Sequence, residues 1–325
     1  MSKLAVVFAA VCLAASVSCG GAGSSGAGGD TSTAPSPYID GFSPAPVADG
    51  YTRFITPVMK GLAAGSDTTY CQWVALPGDT DLDVLAVTGM QSKFGHHAIL
   101  YASTENYPVG TSRECNDADM ESVRFLGAIG GEGNSTGTKG ILPPNVAFRL
   151  LKGEALMANI HFLNTGATTI QGQAVLDVQF APTSPSRQIA QLFSNVGTTF
   201  TIPPHSHTAY DVSCPMGQDM SFYMFTDHMH AHGAAAMTEV IHSDGTKNTI
   251  VNDPSWTPDM QFNPSFVRFP QQFVVHKGDV VHTHCEWTGD SAKTLTFPGE
   301  MCVGTGFFQG SGTQVFCTDG AWPTH

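Results

Sequence analysis

The sequence predicts an all-β fold in which antiparallel strands pack as β-sandwiches. Composition gives the first indication, since only 13% of the 325 residues are charged, while Gly (35) and Pro (20) are abundant and aromatic residues reach 10%. Such a composition is typical of turn-rich β proteins. Periodicity gives the second. From residue 50 onward, turn residues separate short alternating or β-branched runs such as YCQWVAL, HHAILYA and SFYMFTD, and few windows show a sustained helical period.

The chain begins with a predicted export signal. Residues 1–19, MSKLAVVFAAVCLAASVSC, contain one Lys, an apolar run too short to span a bilayer, and small residues before Cys19. The junction resembles that of a bacterial lipoprotein, so lipidation of Cys19 and plain signal-peptidase cleavage both stay open. We predict an exported protein, either secreted or periplasmic, that meets a membrane only through this possible lipid anchor.

Two segments of biased composition divide the rest of the chain. Residues 20–49 are predicted to be a Gly/Ser/Pro-rich tether without structure of its own. The Pro/Ser-rich stretch APTSPSR at 181–187 lies between two strand-like runs. It predicts a boundary between an N-terminal β-sandwich at 50–183 and a C-terminal one at 188–320.

Charge and cysteine spacing disfavour two classes of site. The 14 basic and 27 acidic residues give a net charge of −13 with no Lys/Arg cluster, so nucleic acid is not an expected partner. Setting aside Cys12 and Cys19 leaves six cysteines, which predict three disulfides in an exported chain, with 15 pairings open. They contain no CxxC pair, so a zinc ribbon is not expected. The six are Cys71, Cys115, Cys214, Cys285, Cys302 and Cys317.

Three histidines at alternate positions mark a candidate metal site in FTDHMHAHG, residues 225–233. If this segment is a strand throughout, His228, His230 and His232 project to one face. Two imidazoles at positions i and i+2 of a strand are a natural ligand pair for one metal ion. The alternative is a polar strand that faces solvent.

Other histidines carry weaker signals on their own. His96 and His97 in FGHHAILYAS are adjacent, so both can reach one metal only at a bulge or bend, or through different ring nitrogens. His161 in LMANIHFLNTG stands alone between apolar neighbours, where a histidine is usually structural. His282 and His284 form a second His-x-His pair that rivals the first on spacing alone.

Taken together, these motifs resemble the copper type II, ascorbate-dependent monooxygenases, the group of the peptidylglycine α-hydroxylating and dopamine β-hydroxylating enzymes. That family has an adjacent His-His pair and a distant His on copper in its first domain. Its second domain has a His-x-His pair and a distant Met on copper. The stretches ILPPNVAFRLLKGEALMANIHF, TIPPHSHTAYDVSC and HKGDVVHTHCEWTG are also similar, so the resemblance extends over residues 50–320.

The resemblance implies two copper ions per chain, one in each of two tandem jelly-roll-like domains that face each other across a cleft. The first ligand set would be the adjacent pair with the lone histidine, and the second would be the His-x-His pair with the methionine of the EMC segment. These are His96, His97 and His161 in the first set, and His228, His230 and Met301 in the second.

The same resemblance assigns the remaining histidines and the cysteines. His232 is expected to lie beside the second set, and His282 and His284 to have structural or hydrogen-bonding roles. The implied disulfides are Cys71–Cys115, Cys214–Cys317 and Cys285–Cys302.

The substrate positions of the peptide-amidating members are altered here. Those members hold a substrate carboxylate with an Arg before the His-x-His pair and with Asn and Tyr after the Met. Thr226, Val303 and Thr305 occupy the positions in this chain, so no guanidinium is available for a bidentate carboxylate contact. An apolar or weakly polar small molecule suits Val303, Phe307 and Phe308 better.

The function implied is a copper-dependent monooxygenase that hydroxylates a C–H bond of a small organic substrate, using O2 and ascorbate or a similar reductant. Imidazole suits both copper oxidation states, while a thioether favours Cu(I). The all-histidine set would therefore transfer electrons, and His228, His230 and Met301 would be the catalytic residues that activate oxygen. Two alternatives stay open: a non-catalytic exported copper-binding or carrier protein on the same scaffold, and a zinc protein, against which Met301 counts.

Overall fold

β-Strands form nearly all of the regular structure in this computed structural model, which describes residues 36–310 and 312–323. Within these residues, helix is limited to α1 (Asp117–Glu121) and a 3-10 turn (Pro258–Gln261). The all-β prediction is therefore confirmed. The predicted export signal and Cys19 lie outside the described residues.

The first half of the chain forms two facing sheets. Its strands are β1 (Thr52–Ile55), β2 (Met59–Leu62), β3 (Asp67–Val74), β4 (Leu82–Gln91), β5 (Gly95–Ser103), β6 (Ser112–Glu114), β7 (Val123–Gly130), β8 (Gly133–Ser135), β9 (Val146–Leu150), β10 (Ala155–Leu163), β11 (Ile170–Gly172) and β12 (Ala174–Pro182). One sheet has the order β6-β3-β10-β5-β7, and the facing strands have the order β1-β12-β4-β9 with β8 beside β4. β2 and β11 form a separate two-stranded ribbon.

β5 is the central strand for the site in this half. It pairs with β10 on one side and β7 on the other, and all nine of its residues are buried. The apolar run from Ala98 to Ala102 fills the core on both sides of the strand. A strand buried on both faces reads as a continuous hydrophobic run.

The second half repeats the two-sheet arrangement. Its strands are β13 (Gln188–Gly197), β14 (Thr201–Ile202), β15 (Thr208–Pro215), β16 (Met220–His228), β17 (Gly233–Ile241), β18 (Lys247–Asp253), β19 (Val267–Val275), β20 (Val280–Trp287), β21 (Leu295–Thr296), β22 (Cys302–Gln309) and β23 (Val315–Thr318). One sheet has the order β15-β20-β17-β18, and the other contains β13-β22-β16-β19 with β23 beside β13. β14 and β21 form a short ribbon.

The two halves share one sheet and part of one core. β9 pairs in parallel with the start of β13, where Gln188 lies opposite Val146, so ten strands from both halves form a single sheet. The predicted boundary falls in the loop between β12 and β13. The division into two domains stays a prediction.

Three disulfides cross-link strands of the described structure, and their pairing is the one that the resemblance implies. Cys71–Cys115 joins β3 to the segment after β6, Cys214–Cys317 joins β15 to β23, and Cys285–Cys302 joins β20 to β22. Structural disulfides of this kind are typical of proteins that fold in an oxidising compartment.

The part of the predicted tether that the structure describes contacts the first half. Gln173 donates a hydrogen bond to the carbonyl of Pro37 and accepts one from the backbone of Ile39, and Phe42 is buried. In the described ranges, no helix is long and apolar enough to cross a bilayer.

Candidate metal centre

The first histidine set lies where β5 pairs with β10. His97 is opposite His161, but the next pair joins Phe162 to Gly95, so His96 is an extra residue in β5. This β-bulge turns His96 and His97 toward the same region, which a regular strand would not allow. The ring centroids of His96, His97 and His161 lie 4.7 to 5.3 Å apart, and one ligand atom from each lies within 4.8 Å of the others.

The second set lies at the end of the β16–β22 ladder. His228 is opposite Val303 near the start of β22, and Met301 directly precedes that strand. The rings of His228 and His230 are 5.3 Å apart, and Met301 is buried with Val303. The two histidines and the methionine predicted as ligands therefore lie at one end of two neighbouring strands.

His232 departs from the expected strand pattern. β16 ends at His228, and residues 229–232 lie outside the strand with a turn at 231–232, so the three histidines do not share one strand face. The Nδ1 atom of His232 lies 2.5 Å from Asp290 Oδ1, and its side chain is one-third exposed.

The two predicted ligand sets are in direct contact. The ring centroids of His96 and His230 lie 5.3 Å apart in an edge-to-face arrangement, which leaves no room for a water layer between them. Phe262, which follows the 3-10 turn, packs against His96 at 5.2 Å. The predicted cleft is not seen at this point of the described structure. We call the five rings the five-histidine cluster: His96, His97, His161, His228 and His230.

Burial keeps the cluster in the form that binds metal. Loss of hydration on burial is the largest cause that lowers the pKa of His96, His97 and His228 well below 6.5, and it also lowers the pKa of His230. These imidazoles are therefore neutral at neutral pH, and neutral imidazole is the ligand form.

Several nitrogens of the cluster lack partners in the described structure. Neither ring nitrogen of His228 has a hydrogen-bond partner, nor does Nε2 of His97. A buried polar atom without a partner costs about 1–3 kcal/mol, so native proteins seldom keep one without a role. Imidazole donors suit a borderline metal ion such as copper, and the predicted thioether ligand of Met301 would add a soft donor.

Hydrogen bonds orient the histidines from outside the cluster. Asp67 binds Nε2 of His161, and that contact is the largest cause that lowers the pKa of Asp67. Nδ1 of His230 lies 3.2 Å from the carbonyl of Gly299. Metal-binding histidines usually give their second ring nitrogen to a carboxylate or carbonyl in this way. The nitrogens left for a metal are Nδ1 of His161 and Nε2 of His230.

Glu300 organises the turn that carries the second set. Its carboxylate is fully buried and accepts hydrogen bonds from the backbone of His230 at 3.0 Å, His232 at 2.8 Å and Met301 at 3.4 Å. The indole of Trp287 donates a fourth at 3.0 Å. One side chain thus fixes the backbone beside two predicted ligands.

Comparison with known proteins adds an independent observation. Residues 187–308 match the family model of the copper type II ascorbate-dependent monooxygenase C-terminal domain. The resemblance to these monooxygenases is confirmed. The matched segment contains His228, His230 and Met301, while the first histidine set precedes it. The family is copper- and ascorbate-dependent, and it consists of oxidoreductases.

Solved structures add little to the family match. One is PNGase F, a glycosylasparaginase from Flavobacterium meningosepticum, at 10% identity over 82% of this chain and 97% of that chain, with a TM-score of 0.34. Another is the major capsid protein P2 from bacteriophage PM2, at 10% identity over 79% of this chain and 97% of that chain, with a TM-score of 0.33. Neither score supports an argument. The comparison with curated proteins gives no match.

The positions that correspond to the substrate clamp of the peptide-amidating monooxygenases are buried. Thr226 is fully buried and Thr305 bonds to Ser194 and to the carbonyl of Phe193. Val303 packs beside Met301. An anionic group has no cationic partner at these positions.

The expectation that Phe307 and Phe308 suit the substrate is wrong. Phe307 packs against Phe125 and Phe148 in the core of the first half, with ring-centroid distances of 5.6 and 5.1 Å. Phe308 packs against Phe222 in the core of the second half. Neighbouring residues of a strand face opposite sides, and here both sides of β22 are covered by core.

The sequence motifs do not reveal the residues that support the predicted ligands. Asp67 and Glu300 belong to no motif with a known spacing, and Gln91 donates to the backbone carbonyls of His97 and His161 from the end of β4 in the facing sheet. The EMC segment drew attention to Met301 alone. Only the position of Glu300 beside a candidate ligand could have suggested its role.

Proposed function

We propose that this chain is a copper-dependent monooxygenase that hydroxylates a C–H bond of a small organic substrate with O2 and ascorbate or a similar reductant. The observation that carries the proposal is the contact between the two histidine sets at His96 and His230, the second of which lies in a segment that matches a copper monooxygenase domain. Two copper ions per chain are proposed, as the resemblance implies.

The two ligand sets differ in chemistry, and this difference supports redox use. His96, His97 and His161 offer nitrogen only, whereas the set proposed around His228 and His230 includes the thioether of Met301. Bound copper would supply one-electron chemistry at both sets, with the thioether favouring the reduced ion that reacts with O2. A pure carrier has no need of two different donor sets.

The chain's own residues would hold the ligands in place. Asp67 and the carbonyl of Gly299 fix the rings of His161 and His230 through one ring nitrogen, which would leave the other nitrogen for copper. Glu300 holds the backbone of His230 and Met301. Such prepared geometry keeps ligands within a few tenths of an ångström of the productive arrangement.

The substrate proposed is small and without a carboxylate. The surroundings of Met301 are apolar, since Val196 and Val303 pack with it, and Phe297 and Phe316 lie alongside. Binding would require His96 and His230 to separate, because their rings are in contact.

A non-catalytic copper carrier is the second candidate, and the same ring contact favours it. In the described arrangement the cluster has no gap for a substrate between the two sets. Such a closed, histidine-rich cluster also suits storage.

Product formation separates the two candidates. Copper-loaded protein is incubated with ascorbate, ¹⁸O2 and a panel of small apolar compounds, beside Met301→Ala and an equal amount of free copper. The monooxygenase proposal predicts ¹⁸O-labelled alcohol that falls at least ~100-fold in Met301→Ala. Labelled product no faster than with free copper would favour the carrier.

A further inference from the structure

A second group of histidines lies on the outer face of β20, outside the five-histidine cluster. Burial alternates residue by residue along this strand. Thr283, Cys285 and Trp287 face the core, so His282 and His284 face outward. The proposed function uses none of these outward residues.

The outward histidines contact one carboxylate from the neighbouring strand β15 and one from their own strand β20. In the register of β15 and β20, Asp211 lies opposite His284. Its Oδ1 atom is 3.1 Å from Nε2 of His282 and 2.8 Å from Nδ1 of His284. Nε2 of His284 is 3.2 Å from Glu286, whose other oxygen is 3.0 Å from Nε2 of His207. Three imidazoles and two carboxylates therefore form one continuous chain.

A neutral His284 cannot satisfy both of the carboxylates that it contacts. A neutral imidazole carries one N–H, yet both nitrogens of His284 face carboxylate oxygens. A second proton can supply the missing charge, and so can a metal ion.

We propose that Nε2 of His282, Nδ1 of His284 and the carboxylate of Asp211 bind a divalent transition-metal ion such as Zn²⁺ or Cu²⁺, with Glu286 and His207 beside it. Two histidines at i and i+2 of a strand with one carboxylate are a ligand set that such ions accept, leaving a position for water. The carboxylates neutralise the ion, and the net charge of −13 draws cations to the surface.

The ligands are accessible and able to adjust. The side chains of His282 and His284 are 19% and 28% exposed, and that of Asp211 is 57% exposed. Among the described residues only His96, His97 and His161 already have ligand atoms within 4.8 Å of one another. Binding at the surface site therefore requires the Asp211 carboxylate to rotate away from its two hydrogen bonds and the two imidazoles to turn toward the ion. The site is independent of copper in the five-histidine cluster.

Zinc binding by the full chain tests the proposal. Bound Zn²⁺ per chain is measured by equilibrium dialysis for the wild type, for the double variant His282→Ala/His284→Ala, and for His276→Ala as a matched control. His276 is also an exposed histidine beside an acid, but its partner Asp219 is 3.6 Å away. The proposal predicts one zinc ion fewer in the double variant and no change in the control.

Two further variants keep the test decisive. Asp211→Asn preserves the shape of the side chain and should weaken zinc binding at this site by ~10-fold or more. His228→Ala/His230→Ala, which disrupts the proposed copper site, should leave the surface zinc ion in place. Equal zinc content in the wild type and in His282→Ala/His284→Ala would overturn the proposal, as would an equal loss in His276→Ala.

Discussion

Glu300 shows how one side chain can define a site at the residue scale. Four hydrogen-bond donors converge on a carboxylate that has no exposed surface. Three of them are backbone groups of a turn and of the residue that follows Glu300. The N–H groups of His230 and His232 are thus bonded to a side chain rather than to a neighbouring strand.

Replacing Glu300 by Gln should loosen the second ligand set while preserving the fold. The amide can accept through one oxygen only, so at least one buried donor loses its partner, at a cost of about 1–3 kcal/mol in the free energy of unfolding. Copper affinity should fall ~10–100-fold, as is typical when a residue that orients ligands is changed. Denaturant unfolding and chelator competition measure the two effects. Exposed Glu121→Gln is the control, and equal copper affinity in both variants would contradict the role of Glu300.

His228 should lower the stability of the metal-free protein. Its two ring nitrogens are buried without partners in the described structure. His228→Leu removes them, so the metal-free variant should be as stable as the wild type or more stable, by up to about 1–3 kcal/mol. Copper should then raise the melting temperature of the wild type more than that of the variant. A variant that is less stable than metal-free wild type and gains as much from copper would refute a ligand role.

At the element scale, the sequence predicts strand faces well and strand ends poorly. The alternating pattern of β20 places its histidines outward, as the local sequence indicates. β16 instead ends at His228, although His230 and His232 continue the alternation. The reason is tertiary, since Glu300 and the indole of Trp256 bind the backbone of the turn. The bulge at His96 likewise depends on pairing with β10, which no local pattern shows.

β22 connects the two halves through one aromatic side chain. Phe307 is 1% exposed and packs on Phe125 of β7 and Phe148 of β9. Phe307→Ala should lower the free energy of unfolding by about 3–5 kcal/mol, because it removes a buried ring and leaves a cavity.

Denaturant unfolding measures the loss of stability in Phe307→Ala, with Val274→Ala as the control. Val274 is 41% exposed, so its truncation should change stability by less than about 0.5 kcal/mol. Similar losses in the two variants would mean that the aromatic contact between the halves contributes little.

At the scale of the whole molecule, the sequence and its family resemblance predict the fold class and the pairing of the six cysteines that follow the predicted export signal. They do not predict how the two halves approach each other. The contact between His96 and His230 brings together residues 134 positions apart, through a shared sheet that local patterns do not encode.

The buried histidines should make the metal-free protein sensitive to acid. The pKa values of His96, His97 and His228 are held well below 6.5, first by burial, whereas each is near 6.5 in the unfolded chain. Below about pH 6.5 the unfolded state therefore binds more protons than the folded state does. The folded protein has its full stability above that pH, and the free energy of unfolding falls as the pH drops below it. The raised pKa of His284 has the opposite effect on the free energy of unfolding, since it favours the folded state at low pH. Three histidines have lowered pKa values, so we expect their effect to dominate.

Unfolding free energies measured from about pH 7 to about pH 5 should fall by up to ~1.4 kcal/mol per pH unit for each of these histidines. His228→Leu should show a shallower slope than the wild type. A free energy that stays constant across this range would contradict the neutral, buried state of the cluster.

Copper K-edge X-ray absorption on ascorbate-reduced, copper-loaded protein tests the central claim most directly. The claim is that one copper ion is held by nitrogen alone and another by two nitrogens and the sulfur of Met301. We expect sulfur scattering in the wild type and in Met90→Ala, a half-buried methionine on β4, and none in Met301→Ala, which should keep its nitrogen-bound copper. Sulfur scattering that persists in Met301→Ala, or that is absent from the wild type, would contradict the account.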